Sequence, residues 1–378
     1  MLEIFLASIA LIFVIRAISA ILKEFRRPEN FPPGPNWFLP FVGSSRYFKK
    51  LCQLFGGQHK AFDYLAKKYN SPIFSIKLGR ELVVVVTTHE LIKEVHAREE
   101  FDGRPDNFFI RLRTMGTRLG ITSSDGRNWH EQRSFVLRQL RNVGFGKTKM
   151  EEQIHAELNE ILDIIKSKKD IPIWPGESSL ISTTGASSTA ITIDLALMSM
   201  LLYPEIQKKI HKEIDEVLGE NSEMPRYIDR NRMPYTEAVL LEVQRFYSII
   251  SVSGPRRTMK ATTLGGYDLP KYTTILIGLG TVHKDEDYWK DPQIFRPERF
   301  LDENNSICNT ERLLPFGAGR RKCLGDQLAR AALFTFFVGI LKEFSLEKCE
   351  NALPSKDLTP GLMMSPKPYK AYFRKRKI

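Results

Sequence analysis

Cysteine is scarce in this chain of 378 residues. Only Cys52, Cys308, Cys323 and Cys349 are present, with no C-x-x-C pair and no framework spacing. That excludes a disulfide-stapled secreted fold and points to free thiols in a reducing compartment. No internal repeat is found, no flavin or nicotinamide site is evident, and no nucleic-acid motif accompanies the formal net charge of +12. A DNA- or RNA-binding role is therefore set aside. The Lys and Arg residues are scattered through helical patterns, with one local run at Arg374-Lys375-Arg376-Lys377, and suit an anionic membrane face or an acidic protein partner. Disorder is excluded as well: 42% hydrophobic and 26% charged residues describe a globular chain of one large or two ordinary domains.

Long apolar runs are rare, and the one that stands out is at the start. Residues 2–22 are apolar except for Glu3 and Arg16. As a helix they would reach about 31 Å, enough to cross the hydrocarbon core of a bilayer, with Arg16 near one end, where it can snorkel. The cations Lys23, Arg26 and Arg27 follow this run instead of preceding it. That order fits a signal-anchor spanning 1–22 with a lumenal N-terminus and a cytoplasmic body, whereas a cleaved secretory signal carries its charge in front. Residues 23–35 form a basic, Pro-rich joint ending in Pro32-Pro33-Gly34-Pro35, where fixed φ angles forbid a continuing helix.

The body, 36–378, reads as mainly α with a small β region. Helical periodicity covers 57–69, 88–97, 127–141 and 148–166. It resumes in a small-residue stretch at about 180–202, in Glu205–Leu218 behind Pro204, and in Glu237–Phe246. Ile73–Leu78 and Leu82–Thr87 read as a hairpin turned by Gly79-Arg80, and short strands alternate with turns from 253 to 280. The stretch 283–322 has almost no pattern, which is long for a compact domain and calls for a functional reason. A helix at about 324–343 and a β-like tail follow.

That reason lies at the end of the stretch. Residues 316–325 fit F-x-x-G-x-R-x-C-x-G through Phe316, Gly319, Arg321, Cys323 and Gly325, a pattern expected by chance about once in ten thousand chains of this length. A thiolate bound to haem iron has to be shielded and tuned by backbone N–H groups. Gly319 and Gly325 let the backbone pass close to a flat ring. Phe316 can pack beside the sulfur, Arg321 can pair with a propionate, and a helix starting at Leu324 would turn its positive end toward the thiolate. The loop resembles that of the cytochrome P-450 family, and other landmarks appear in the family's order. Trp129-His-Glu-Gln-Arg133 resembles its propionate-binding W-x-x-x-R, Glu242-Val-Gln-Arg245 its E-x-x-R, and Pro297-Glu-Arg299-Phe its P-E-R-F. The resemblance covers essentially the whole chain and is closest to membrane-anchored microsomal members of arthropod type. It implies haem as cofactor with Cys323 as axial ligand, and Trp129, Arg133, Arg104 and Arg256 on the propionates. It also implies a buried network of Glu242, Arg245 and Arg299 locking the long loop.

Two departures stand out. Thr184-Gly-Ala-Ser187-Ser188-Thr189 occupies the family's oxygen-activating A-G-x-(D/E)-T-T. Ser188 and Thr189 retain hydroxyls there, while Ser187 replaces the acid that relays protons. In addition, the spacing from Trp129 to Ser188 leaves no room for the helices that normally build the distal roof and lid, so part of the distal helices is missing, with an internal deletion near 177–180. An alternative transcript, a gene-model error or a pseudogene product would each look like this. The resemblance implies a monooxygenase of the endoplasmic reticulum membrane that inserts one oxygen atom of dioxygen into a lipophilic substrate. Its electrons would come from NADPH through a separate cytochrome P-450 reductase docking on a basic face around Arg127, Arg138, Arg141 and Lys322. Pocket-lining candidates are the apolar segments Phe108–Ile110, Ile249–Val252 and Leu362–Met364. A haem-thiolate isomerase or dehydratase needs no reductase, and the Ser188-Thr189 hydroxyls argue against it. The other alternative is a haem-poor, inactive isoform acting only as a membrane protein.

Overall fold

Two compact units emerge in a computed structural model of the chain, one formed by Met1–His130 with Val252–Thr281, the other by Glu131–Ser251 with Val282–Ile378. The structure describes residues 27–35, 41–146, 148–176, 187–219, 224–361 and 363–376, with scattered positions between 8 and 19. The expected anchor, residues 23–26 of the joint and residues 177–186 at the proposed deletion lie largely or wholly outside them. Among the described residues no single helix is long and apolar enough to cross a membrane.

In the first unit, helices α1 (Ser45–Phe55), α2 (Gln58–Tyr69) and α3 (His89–Ala97) accompany strands β1 (Ile73–Leu78) and β2 (Glu81–Val86). The β-branched runs on either side of Gly79-Arg80 pair antiparallel, Ile73 with Val86 through Leu78 with Glu81. Gly79 takes the left-handed conformation that the turn needs. Strands β3 (Arg256–Arg257) and β4 (Thr274–Ile277) complete a sheet of order β1-β2-β4-β3, in which β2 and β4 run parallel. Phe48, Leu65, Phe62, Phe74, Ile76 and Val85 form its core against α1 and α2. The end of the Pro-rich joint is docked on β1: Ser75 donates from its backbone N–H to the Pro33 carbonyl (2.6 Å) and from its hydroxyl to that of Pro32 (2.8 Å). A Cβ on Gly34 would sit 2.0 Å from the Ser75 carbonyl oxygen, so only glycine permits this approach.

Helix α4 (Gly126–Asn142) begins in the first unit and ends in the second. The second unit is mostly helical: α5 (Thr148–Ser167), α6 (Ser187–Leu202), α7 (Pro204–Leu218), α8 (Pro234–Tyr247) and α9 (Asp326–Glu343). On α5 the buried residues recur as Met150, Ile154, Leu158, Ile161, Leu162 and Ile165, one helical stripe. Helices α6 and α9 lack such a stripe and are buried nearly all round, which makes them the centre of the unit. Gly339 lets α9 meet α5, because a Cβ there would lie 2.4 Å from the Leu158 side chain. Strands β5 (Phe344–Lys348) and β6 (Ala371–Lys375) close the tail as an antiparallel pair.

The stretch 283–322 is irregular apart from the one-turn α-helix Glu286–Trp289, the short 3-10 segments Pro297–Phe300 and Gly319–Arg321, and an isolated bridge between Leu301 and Ile307. Helix α9 starts at Asp326, two residues later than its sequence pattern suggests. Leu324 and Gly325 are spent on leaving the preceding loop. Helix α1 was not legible as a helix in the sequence: Lys49-Lys50 and the following Gly56-Gly57 obscure its short apolar face.

Candidate haem-ligand site

The loop Phe316–Gly325 is shaped by its glycines. Gly317 and Gly319 have φ of +66° and +68°, a region costly for any residue with a Cβ. The chain then folds back, so that the Cys323 N–H donates to the Phe316 carbonyl at 2.9 Å and the Lys322 N–H to Gly319 at 3.1 Å. The closed loop leaves the Cys323 thiol exposed. Arg133, from α4, donates to the Lys322 carbonyl at 3.0 Å, and the Lys322 ammonium pairs with Asp326 at 2.5 Å. Phe316 carries the Arg330 guanidinium 4.8 Å from its ring centre. Both Arg321 and Phe316 are half-buried.

These residues fit a haem ligand on three counts. The thiol is accessible. A Cβ built at Gly325 meets nothing within 4 Å, so the backbone beside the cysteine is open to a flat group. The first turn of α9 follows directly, and Gly325 offers no side chain to cap its N–H groups.

A buried charge cluster joins α8 to the irregular stretch. Glu242 and Arg245, one turn apart on α8, are fully buried. The Arg245 guanidinium donates to the Glu242 carboxylate at 2.7 and 2.8 Å, to the His283 carbonyl at 2.8 Å and to that of Pro292 at 3.1 Å. Arg299 lies 3.2 Å from the same carboxylate and donates to the carbonyls of Trp289, Asp291 and Ile294. Glu242 also accepts the Arg296 N–H at 2.9 Å. One carboxylate thus faces two guanidinia, whose remaining donors hold carbonyls between 283 and 294. The structure brings Glu242, Arg245 and Arg299 together.

Three further candidates lie in the first unit. Arg104 donates to the carbonyls of Gly254 (2.9 Å) and Pro255 (2.7 Å), and burial holds its guanidinium below its usual range. Arg256 is buried and donates to Asp102 at 3.3 Å. Trp129 is buried, its ring edge-on to that of His130 at 4.7 Å.

On α6, Thr189 is buried and Ser188 half-buried, and the Ser188 carbonyl accepts the Thr192 hydroxyl at 2.8 Å. Thr184, Gly185 and Ala186 lie outside the described residues. The sequence reading passed over Asp194, further along α6. Its carboxylate accepts the Tyr369 hydroxyl at 2.6 Å with the Trp174 indole close by. Burial pushes it up to about 7 against the pull of those two donors. Its signal was an acid inside the apolar run Ile191–Leu197. His283 was missed too, because only its tertiary partners give it a role.

The sequence profile of the Cytochrome P450 family matches residues 32–178 and 177–373. Probable cytochrome P450 305a1 of Drosophila melanogaster is 35% identical over 503 aligned residues, taking in 99% of each chain. Farnesoate epoxidase of Bombyx mori is 29% identical over 98% of this chain and 99% of its own. Cytochrome P450 2J2 of Homo sapiens is 30% identical over 92% of each. With these matches and a mostly helical fold bearing small sheets, the chain belongs to the cytochrome P450 family, oxidoreductases that act as monooxygenases on a haem whose iron takes a cysteine thiolate as axial ligand.

Proposed function

We propose that Cys323 is the haem ligand of this chain and that the protein oxygenates a lipophilic small molecule with electrons delivered from NADPH by a separate membrane reductase. The observation that carries this reading is the exposed Cys323 thiol on a loop closed by its own backbone bond and followed by an uncapped helix start. When bound, a thiolate-ligated haem supplies dioxygen activation and oxygen transfer to carbon. The chain's own residues hold and orient it. Phe316 is proposed to pack beside the sulfur, Arg321 and Arg133 are cations of the loop and its neighbour, and the Glu242–Arg245–Arg299 cluster holds the irregular stretch through carbonyls between 283 and 294. Arg104, Trp129 and Arg256 are the further candidates for the propionates. Ser188 and Thr189 are proposed to orient water and pass protons on the oxygen side, since a hydroxyl both donates and accepts. Arg138, Arg141 and Lys322 are proposed reductase contacts. The substrate is proposed to be a sterol, sesquiterpenoid, fatty acid or foreign compound, a choice that the epoxidase named for farnesoate among the relatives supports.

The ligand assignment is tested by the absorption of the reduced carbon monoxide complex. Cys323→Ala is expected to abolish the Soret band of thiolate-ligated haem, with Cys308→Ala and Cys349→Ala unchanged; a surviving band in Cys323→Ala would sink the assignment. For location we propose an endoplasmic reticulum membrane anchor at 1–22, supported by the apolar run and the cations behind it. Protease added to sealed microsomes is then expected to digest the body and spare a small fragment, and a fully protected body would refute this topology.

A further inference from the structure

His283 stands at the head of the irregular stretch and is only 1% exposed. The Leu314 N–H lies 3.0 Å from its Nε2, and the Ser248 hydroxyl lies 2.9 Å from its Nδ1. A backbone N–H can only donate, so Nε2 is the acceptor, and the neutral ring gives its proton through Nδ1 to Ser248. Both edges of one rigid ring are therefore used, toward two different segments. Ser248 ends α8, the helix that carries Glu242 and Arg245. Leu314 begins the approach to the ligand loop.

From Leu314 the bonds continue to the cysteine. The Leu314 carbonyl accepts the Gly317 N–H at 3.0 Å, and the Phe316 carbonyl accepts the Cys323 N–H at 2.9 Å. Leu313, next to the tether, is buried with Ala238, Leu241, Trp289 and Phe300, which anchors the tether's neighbour in the core. The Leu314 N–H itself is half-buried, so losing its acceptor there leaves a partly desolvated donor that solvent replaces only in part. The His283 carbonyl in turn receives Arg245 at 2.8 Å, so the charge cluster holds the residue's backbone while its ring holds the loop.

We propose that His283 is a positioning residue for the haem ligand: its neutral ring ties the end of α8 to the base of the cysteine loop and so sets where Cys323 is presented. This rests on Cys323 being the ligand and goes beyond it, by naming the contact that keeps the loop closed. The ring stays neutral in ordinary buffers, because burial, with the Arg245 and Lys284 charges added, pushes it down to about 3.

The test uses the full chain with haem incorporated and compares His283→Asn, which cannot reach the Leu314 N–H, with His283→Gln, whose amide oxygen can. In His283→Asn the ratio of thiolate-ligated to otherwise ligated haem in the reduced carbon monoxide spectrum should fall about ten-fold, with far-ultraviolet helicity unchanged. His283→Gln should recover most of that loss. Amide exchange at Leu314, Gly317 and Cys323 should quicken about ten-fold in His283→Asn. An unaltered thiolate spectrum with unaltered exchange in His283→Asn overturns the proposal. Should His283→Asn fail to fold, Ser248→Ala keeps the ring and releases its tautomer. Faster Leu314 exchange in that variant supports the tether, and unchanged exchange rejects it. Were Cys323→Ala to keep the thiolate band, the ligand assignment would fall, while the exchange measurements would still decide whether His283 holds the loop.

Discussion

Single side chains carry the chemistry proposed for this protein, and their surroundings differ more than their types suggest. Cys323 and Cys349 are both unpaired thiols, yet one is exposed on a glycine-shaped loop and the other is buried. Asp194 shows how far burial moves a group. With its carboxyl pushed up to about 7, the folded chain keeps a proton that the unfolded chain releases near the ordinary carboxylate range. Below that range both states are protonated and pH has no effect through this group. Between about 4 and 7 the unfolded state binds fewer protons, so stability falls as pH rises, and above about 7 the full loss has been taken. Asp194→Asn keeps an acceptor for Tyr369 without the charge. Its urea midpoint relative to the parent is therefore expected to rise between pH 5 and pH 8, and parallel curves for the two chains would contradict the assignment.

At the scale of elements, α8 is a bracket as much as a core helix. One face packs Val239, Leu240 and Val243 into the core around α9, while Glu242, Arg245 and Ser248 reach the irregular stretch. An E-x-x-R spacing occurs by chance about once in a chain of this length, so the sequence alone could not separate it from a solvated i,i+3 pair. Zero exposure of both residues makes that separation. Removing one member of such a cluster leaves uncompensated charge in a dry interior. Glu242→Ala, which strands Arg245 and Arg299, is expected to cost about 3–5 kcal/mol of stability and to loosen the loop with it. Denaturant unfolding of the haem-loaded chain checks this, and a loss below about 1 kcal/mol would mean that water reaches the cluster.

The whole molecule raises the matter of length. The alignment with the Drosophila relative runs to 503 residues against 378 here, more than a hundred positions longer, and the family profile breaks at 177–178. Both support the proposal that a stretch present in relatives is missing from this chain. Between Glu177 and Gly185 there are seven residues, about 25 Å at full extension, too short to form a helical lid. Water exclusion over a reacting haem depends on such a cover. With reductase and NADPH this chain is accordingly expected to release peroxide well in excess of oxidised product. A version with the stretch restored should reverse the ratio. Equal coupling in both would show that the remaining helices suffice.

The sequence by itself determined the family, the cofactor class and the ligand candidate, because these rest on fixed spacings within ten residues, where backbone geometry leaves few choices. It also determined the long helices with a single apolar stripe, such as α5, and the hairpin at Gly79-Arg80, where the periodicity is local. Only the tertiary structure decided that α6 and α9 are buried all round, that the Pro-rich joint lies along β1 through Ser75, and that Arg256 faces Asp102. The roles of His283 and Asp194 belong there too. A buried polar side chain acquires its function from partners dozens of residues or more away, and no local pattern records which segments burial will bring together.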